Sequence, residues 1–286
     1  MLMDEEKARD ILRAWGESAP YWKQNRETIH LMFEPITRAL ITQARISEGE
    51  SVLDVAGGTG EPSLTIAEIV GPSGHVVCTD AASEMVRAAE EEARRLGLSN
   101  VRFRQCLADA IPFGDDEFDH VVSRLGLMFF PDPVAALREM LRVVKPRGRV
   151  TLAVWGAKES NPFFSVVSEV VSRYIEPGPE EPDAPGAFRF EARGAVSDLL
   201  KQAGAREVEE REVDFHLEAP VTLQDFWRAR SEMSDTLREK VARLSREELV
   251  RATREVSEAM SGYFPDDRMK IPARVLIASG AKPPSK

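Results

Sequence analysis

The sequence reads VLDVAGGTG from Val52 to Gly60, and this stretch decides the fold class. Its apolar first half predicts a buried strand, and its glycine-rich second half leads into a helix whose first turn holds Pro62. Glycine lets a ligand approach the backbone closely, and the N-terminus of the following helix offers unpaired N–H groups. The stretch therefore predicts a strand, a turn and a helix that together bind a nucleotide-like ligand.

Short β-branched runs alternate with longer amphipathic stretches around this turn, which is typical of a parallel sheet covered by helices. The predicted strands are Ser51–Ala56, His75–Asp80, Val101–Gln105, Phe118–Ser123 and Arg149–Trp155, followed by a sixth at Val208–Leu217 and a seventh at Val275–Ala278. The fifth is expected to start after the helix-ending segment Lys145–Gly148. The predicted fold class is α/β, with a doubly wound, mostly parallel, seven-stranded Rossmann-like sheet.

The chain divides into three regions by its pattern. Residues 1–46 are expected to form an N-terminal helical cap, residues 47–156 the ligand-binding core, and residues 157–286 a C-terminal part. Within the last region we expect two strands that complete the sheet, at about 205–217 and 273–280, and a helical lid insertion at about 221–270. The cap and the C-terminal part flank the core and carry its spare aromatic residues, so both are expected to enclose a substrate and exclude water.

The composition excludes several classes of protein. The chain has 286 residues, of which 43% are hydrophobic, and this is enough to bury a sizeable core. Its formal net charge of −10 and pI of about 5.1 argue against nucleic acid as a partner. No uncharged apolar run approaches the roughly 18 residues that span a bilayer, and the sequence begins with acidic residues where a signal peptide is basic. We therefore expect a cytoplasmic protein without a membrane span.

The histidines and cysteines, which commonly bind metals, are not spaced along the sequence as metal ligands are. The histidines are His30, His75, His120 and His216, and their separations match no zinc-site pattern, so no metal site is expected. Cys78 and Cys106 each lie in a short apolar segment, and a chain of this size does not need a disulfide framework. Both cysteines are therefore interpreted as packing residues.

Three acidic residues lie at or just after the carboxyl ends of predicted parallel strands, where open α/β sheets bind ligands. Asp54 lies near the end of the first strand, within three residues of the turn, Asp80 ends the second, and Asp109 follows the third. An acid in the position of Asp80 can accept hydrogen bonds from two ribose hydroxyls. Asp109 could accept a hydrogen bond from the amino group of adenine. The alternative is that Asp54 and Asp109 simply cap helices.

Two cofactor classes compete for the glycine turn. The dinucleotide fingerprint G-x-G-x-x-G is incomplete here, because Gly58-Thr59-Gly60 is followed by Ser63 where the third glycine belongs. Asp54 would repel a pyrophosphate but attract the ammonium group of an amino-acid-bearing nucleoside. This pattern favours S-adenosylmethionine. An NAD-type oxidoreductase and a non-catalytic ligand-binding module on the same fold remain as alternatives.

Residues from about Ser51 to Gly156 resemble a class I S-adenosylmethionine-dependent methyltransferase. Within that family they are most similar to the ubiquinone/menaquinone biosynthesis C-methyltransferases and related small-molecule enzymes. The resemblance rests on VLDVAGGTG, on Asp80, on ADAIPF at 108–113 with Phe118-Asp119 after it, and on LRVVKPRG at 141–148. It implies a methyltransferase that uses S-adenosylmethionine and releases S-adenosylhomocysteine, with no metal.

The resemblance also implies which residues bind the cofactor. In the family, the glycine turn and the first acid surround the methionine moiety, the second acid holds the ribose, and the third lies by the adenine. The cofactor-binding residues expected on this basis are Asp54, Ala56, Gly57, Gly58, Thr59, Gly60, Asp80, Ala81, Met85, Asp109, Ala110 and Ser123.

The acceptor side is less defined. The loop after the fourth strand, SRLGLMFFPD at 123–132, lacks the Asn-Arg pair typical of the quinone-methylating branch, so the expected acceptor is a small apolar or aromatic metabolite. Candidate pocket residues are Tyr21, Trp22, Arg124 and Met128, each of which could equally serve packing or, for Arg124, an ion pair. His30 and Arg124 are the candidates for a catalytic role, and His30 could equally be an ordinary helix residue. The methylated atom and the oligomeric state are not predicted.

Overall fold

The computed structural model describes residues 5–175, 183–232 and 234–284. Seven strands form one sheet in the order β3-β2-β1-β4-β5-β7-β6. They are β1 Ser51–Val55, β2 His75–Asp80, β3 Val101–Gln105, β4 Phe118–Arg124, β5 Val144–Trp155, β6 Arg206–Ala219 and β7 Met269–Ala281. Strands β1 to β5 pair in parallel, and β7 runs antiparallel to both β5 and β6. The predicted fold class is confirmed.

Helices cover both faces of this sheet. They are α1 Glu5–Gln24, α2 Arg26–Ala44, α3 Ser63–Val70, α4 Ser83–Leu96, α5 Pro133–Val143, α6 Pro162–Ser172, α7 Ala195–Ala203, α8 Leu223–Glu232, α9 Asp235–Ala242 and α10 Arg246–Met260. Local sequence explains several of their ends. Asp132 accepts a hydrogen bond from the Ala135 N–H at the start of α5, and Gly97 ends α4 in the left-handed conformation.

The strands are apolar on both sides because each side packs against helices. Val52 and Val122 belong to the core formed with α2, α3 and α6, whereas their neighbours Leu53 and Val121 belong to the core formed with α5 and α7. Successive residues of a strand point to opposite faces, so a strand buried on both faces has to be a continuous apolar run. This is why β1, β2 and β4 are readable from the sequence.

Strand β5 begins earlier than the sequence predicts. It starts at Val144 and therefore includes Pro146 and Gly148, with a register irregularity where it pairs with β4. The Lys145 ammonium donates to Asp119 Oδ1 of β4 at 2.7 Å, and a Cβ on Gly148 would lie 2.5 Å from the Asp119 carbonyl oxygen. The helix-ending segment is therefore the first part of the strand and crosses β4 closely enough to require glycine.

The regions flanking the core are also mostly helical. Helices α1 and α2 lie within the predicted cap, and α8 to α10 lie within the predicted insertion, which packs on α6 through buried residues such as Phe226 and Val256. Residues 1–4 of the predicted cap, and 176–182, 233 and 285–286 of the predicted C-terminal part, lie outside the described residues. Among the helices that the structure describes, none combines the length and apolar character needed to cross a bilayer.

Asn161 joins the two halves of the sheet. Its buried side-chain amide donates to the carbonyl oxygens of Gly156, Ala157 and Arg274, and its Oδ1 accepts from the Arg274 N–H at 3.0 Å. These bonds connect the end of β5 to β7 and to the first turn of α6.

We predict that Asn161→Ala lowers the free energy of unfolding by about 2–4 kcal/mol, because the Gly156 carbonyl oxygen and the Arg274 N–H lose the partner that Asn161 supplies and a buried side chain is removed. Urea denaturation followed by circular dichroism measures the change. The control is Asp198→Ala, which removes an exposed ion pair with Lys201 and should cost less than about 0.5 kcal/mol. Equal stability of Asn161→Ala and the wild type would show that this junction is not important for folding.

Candidate active site

A cavity of about 1040 Å³ lies at the carboxyl ends of β1, β2 and β4. The chain order reverses between β1 and β4 in the sheet, and such a switch point is where doubly wound sheets bind ligands. The turn after β1 and the loop after β4 both line the cavity, and helices α1 and α2 contribute residues such as Trp15, Trp22 and His30. The cavity is therefore bounded by the sheet edge and by the N-terminal helices.

The glycine turn passes close over the first two strands. A Cβ on Gly57 would lie 2.6 Å from Cys78 Sγ and 2.7 Å from Asp54 Oδ2, so no larger residue fits there. The Gly57 N–H donates to the carbonyl oxygen of Thr79 at 2.8 Å, which holds the turn to the end of β2. Gly58 has φ +56, a conformation that favours glycine, and nothing lies within 4 Å of its Cβ position. The turn therefore presents bare backbone to the cavity.

Asp54 lies beneath this turn and is fully buried. Its Oδ2 accepts a hydrogen bond from Ser63 Oγ at 2.6 Å, while its Oδ1 has no hydrogen-bond partner among the described residues. Burial raises the pKa of the Asp54 carboxyl to about 7, against the opposing effects of Ser63 and of the positive charge of Arg124. Ser63 is the residue that stands in place of the third fingerprint glycine, and here it bonds to this acid.

Asp80 connects the glycine turn to helix α4. Its carboxylate accepts from the backbone N–H of Gly58 at 3.0 Å and from that of Ala82 at 2.9 Å. Burial raises the pKa of the Asp80 carboxyl, and these backbone hydrogen bonds oppose the shift. Since Asp80 also lines the cavity, the same carboxylate can face a ligand there.

The structure brings together most of the cofactor-binding residues expected from the sequence. Those in the cavity wall are Ala56, Gly57, Gly58, Thr59, Asp80, Ala81, Met85 and Asp109. Those outside the wall are Asp54, Gly60, Ala110 and Ser123. Gly60 packs on Leu64, Ser123 is fully buried below Gly126, and Ala110 is exposed. The position of a residue in the sequence therefore does not decide whether it lines the cavity. Thr59 lines it, for example, whereas the next residue, Gly60, packs against Leu64 instead.

Three charged side chains line the cavity beside the glycine turn. His30 Nδ1 lies 3.2 Å from Glu61 Oε1, and Thr65 Oγ1 donates to Glu61 Oε2 at 2.8 Å. Arg124 Nη1 donates to Thr37 Oγ1 at 2.7 Å, and its guanidinium lies 5.6 Å from the centre of the Phe33 ring. Helix α2 therefore makes two separate polar contacts at the cavity, from His30 to the residue after the turn and from Thr37 to the end of β4.

These neighbours change one another's ionisation. The hydrogen bond to Glu61 raises the pKa of His30, opposed by burial and by the positive charge of Arg124. Burial alone would raise the pKa of Glu61, but the His30 hydrogen bond, the Arg124 charge and Thr65 outweigh it, so its pKa is lowered. Burial lowers the pKa of Arg124, and the negative charges of Glu61 and Asp54 oppose that shift.

Aromatic side chains form another part of the cavity wall. Trp15 lies 6.0 Å from Trp22 and 5.1 Å from Phe129, measured between ring centres, and all three line the cavity. Of the predicted pocket residues, Trp22 and Arg124 are in the wall, but Tyr21 and Met128 are not. The Tyr21 ring lies under the guanidinium of Arg238, and Met128 is only 1% exposed within the core.

The sequence reasoning missed several lining residues, chiefly Glu61 and Trp15. Trp15 lies seven residues before Trp22 and so two helical turns away on the same face, a spacing that could have indicated it. Glu61 directly follows the glycine turn, where an acid could have been noticed. The pairing of Glu61 with His30 had no signal in the sequence, because 31 positions separate the two residues.

The predicted lid insertion does not contribute to this cavity. No described residue between 157 and 270 lines it; α8 to α10 pack on α6, and Arg238 of α9 lies over the Tyr21 ring of α1. Helix α1 lies close to α4 instead, with an ion pair between Lys23 and Glu91. Among the described residues, no group of three His, Cys, Asp or Glu side chains could hold a metal ion.

Comparison with known proteins agrees with this architecture. Residues 46–173 match a family model described as a methyltransferase domain. The chain is 37% identical to the ubiquinone/menaquinone biosynthesis C-methyltransferase UbiE of Pasteurella multocida over 147 residues, which are 51% of this chain and 52% of that protein. It is 32% identical to the demethylmenaquinone methyltransferase of Listeria welshimeri over 180 residues, which are 61% of this chain and 74% of that protein.

The chain thus spans about half the length of the Pasteurella relative. Among solved structures, an S-adenosylmethionine-dependent methyltransferase from Aquifex aeolicus superposes with a TM-score of 0.53 at 26% identity, covering 68% of this chain and 91% of that one. The matched region contains the glycine turn, Asp80 and Arg124, which line the cavity, and the buried Asp54 beneath the turn. The chain therefore belongs to the S-adenosylmethionine-dependent methyltransferases.

Proposed function

We propose that this protein transfers the methyl group of S-adenosylmethionine to a small apolar or aromatic acceptor. One observation carries the proposal: the glycine turn and Asp80 open into the same cavity as the aromatic wall of Trp15, Trp22 and Phe129. The cavity volume of about 1040 Å³ is at the upper end of the range for a single drug-sized ligand, which is about 300–1,000 Å³. A methyl donor and an acceptor therefore have room side by side.

The residues present fit the methyl donor. Asp80 would hold the ribose hydroxyls, and the exposed Asp109 would lie by the adenine. The buried Asp54 Oδ1 lacks a partner among the described residues and would stabilise the amino group of the methionine moiety. When bound, the donor supplies an activated methyl group on a sulfonium. The protein then needs mainly to align the acceptor and to exclude water, and the apolar wall of the cavity suits both tasks.

The acceptor class follows from the other half of the cavity. Trp15, Trp22 and Phe129 stand there beside the polar side chains of His30, Glu61 and Arg124, a combination that suits a flat apolar molecule with a few polar atoms. The two curated relatives have names that refer to quinone compounds, so a quinol is a sensible first acceptor to test. The loop of residues 123–132 differs from the quinone-methylating pattern, which is a reason to test other aromatic acceptors as well.

Isothermal titration calorimetry tests the donor assignment. We expect S-adenosylmethionine and S-adenosylhomocysteine to bind with micromolar-range dissociation constants and NAD to show no comparable affinity. Mass spectrometry then follows methyl transfer to 1,4-naphthohydroquinone, catechol and aniline. Binding of NAD without binding of S-adenosylhomocysteine would replace the proposal with a dinucleotide-dependent function.

We predict that Asp80→Ala weakens S-adenosylhomocysteine binding by a factor on the order of ten to a thousand, because it removes two charge-assisted hydrogen bonds. The affinity of Asp80→Asn for S-adenosylhomocysteine should fall between those of Asp80→Ala and the wild type, since its amide keeps one acceptor oxygen. Since Asp80 also accepts the Gly58 and Ala82 N–H groups, thermal unfolding of each variant is measured beside calorimetry. The control is Asp115→Ala, at an exposed carboxylate outside the cavity wall. Unchanged affinity in a folded Asp80→Ala protein would remove Asp80 from the donor site.

We predict that S-adenosylhomocysteine affinity rises with pH through the Asp54 transition at about 7. A carboxylate attracts the ligand's ammonium, whereas below this pKa the carboxyl is protonated and must first lose its proton. Affinity should increase by a factor of about three to ten between pH 6 and pH 8. Asp54→Asn should bind more weakly and show no such rise. A pH-independent affinity in the wild type would mean that Asp54 does not interact with the amino group.

A further inference from the structure

His30 and Glu61 form a pair in the cavity wall. His30 lies on α2 with its side chain 45% exposed, and Glu61 lies in the turn before α3. Nδ1 of His30 bonds to Glu61 Oε1, and Thr65 fixes the other carboxylate oxygen. With Nδ1 occupied as the donor, the neutral imidazole keeps its acceptor lone pair on Nε2. An orienting carboxylate behind a histidine at a cavity wall is the arrangement of a general base.

Two hydrogen-bond donors in the same wall have unused capacity. Within the described residues the guanidinium of Arg124 makes one hydrogen bond, to Thr37, although it carries five N–H groups. The indole Nε1 of Trp22 is buried and has no hydrogen-bond partner there. Both residues line the cavity that holds His30. Donors in an apolar wall stabilise negative charge on an oxygen more strongly than they would in water.

We propose that His30, oriented by Glu61, is the general base that takes the acceptor's proton, and that Arg124 stabilises the resulting anion. This rests on the proposed function, since the anion is the nucleophile for the methyl group. His30 and Arg124 would touch the acceptor as catalytic residues, and Glu61 would act through His30 as a positioning residue. The acceptor is then a molecule with an acidic hydroxyl on an apolar ring.

The step balances in atoms and electrons. The O–H bond of the acceptor breaks, its electron pair stays on the acceptor, and the proton goes to Nε2 of His30. The acceptor then forms a bond to the methyl carbon, whose bond to sulfur breaks with its electron pair remaining on the sulfur. The imidazolium afterwards releases its proton to solvent, which reaches His30 because the side chain is nearly half exposed.

The charges around His30 set its basicity. Glu61 faces it from the turn after β1, Arg124 from the end of β4, and Glu34 from the next turn of α2. Glu61 and Glu34 favour the protonated imidazole, whereas Arg124 disfavours it. Removing Glu61 should therefore lower the pKa of His30 and weaken it as a base, and removing Glu34 should do so less because Glu34 makes no hydrogen bond to His30.

The test uses 4-nitrophenol bound to the full-length protein saturated with S-adenosylhomocysteine. Phenolate absorbance reports ionisation of the probe, and a pH titration gives its bound pKa. We expect the bound probe to ionise at lower pH than the free one. His30→Asn should raise its bound pKa by about one unit or more, Arg124→Met should also raise it, and Glu61→Gln should raise it by a smaller amount.

Matched controls distinguish the effect of the His30–Glu61 pair from that of removing any histidine or any nearby carboxylate. His216→Asn changes an exposed histidine on β6, and Glu34→Gln removes a carboxylate from the same helix. His216→Asn should leave the titration of the bound probe unchanged, and Glu34→Gln should shift it less than Glu61→Gln does. The imidazole proton resonances of the four histidines give a second readout. The resonance that is absent from His30→Asn belongs to His30, and it should titrate at lower pH in Glu61→Gln than in the wild type.

Three results would overturn the proposal. The first is a bound-probe titration that His30→Asn leaves unchanged. The second is failure of the S-adenosylhomocysteine complex to bind the phenol. The third is a parallel loss, of tenfold or more, of S-adenosylhomocysteine affinity in His30→Asn and Glu61→Gln, which would make the pair part of the donor site. With each of these results the wild type still binds S-adenosylhomocysteine, so the proposed methyl transfer is not contradicted. That function would be contradicted only if the wild type did not bind S-adenosylhomocysteine.

Discussion

The site depends on a buried carboxylate that the glycine turn must cover. Asp54 is fully buried, and a buried acid is costly unless polar groups satisfy it. Ser63 supplies one hydrogen bond from the start of α3, and this bond holds β1 and α3 at a fixed separation. The turn between them must then pass so close to Asp54 and Cys78 that only glycine fits at position 57. The backbone that faces the cavity is exposed because of this constraint.

Asp80 extends the same constraint to the second strand. By accepting the Gly58 and Ala82 N–H groups it ties the turn, the end of β2 and the start of α4 to one side chain. The shape of the ligand site is thus determined by two acids, one below the turn and one beside it. Both carboxyls have raised pKa values because burial disfavours their charged forms, which is typical of functional sites rather than of surface ion pairs.

The two flanking regions of the chain have different roles. The N-terminal helices supply His30 and two residues of the aromatic wall, Trp15 and Trp22, and so line the part of the cavity in which we propose that the acceptor binds. The C-terminal insertion instead forms an apolar layer on α6, in which Arg230 is buried against the rings of Phe163 and Phe164, and burial lowers the pKa of this arginine to about 10. Differences in acceptor between relatives of this fold should therefore be sought in residues before β1 and after β4.

The sequence by itself determined the sheet, the glycine turn and the three acids at the strand ends. Strands buried on both faces are continuous apolar runs, and a turn that must be glycine for steric reasons leaves a local signature. It also indicated Trp22, Arg124 and His30 as residues near the pocket, but without their partners. Only the tertiary structure decided that His30 meets Glu61, that Arg124 bonds to Thr37, and that Tyr21 and Met128 face away from the cavity. It also decided that no described residue of the insertion at 221–270 lines the cavity. These facts depend on how helices far apart in the chain pack together, and a pattern of neighbouring residues carries no information about that packing.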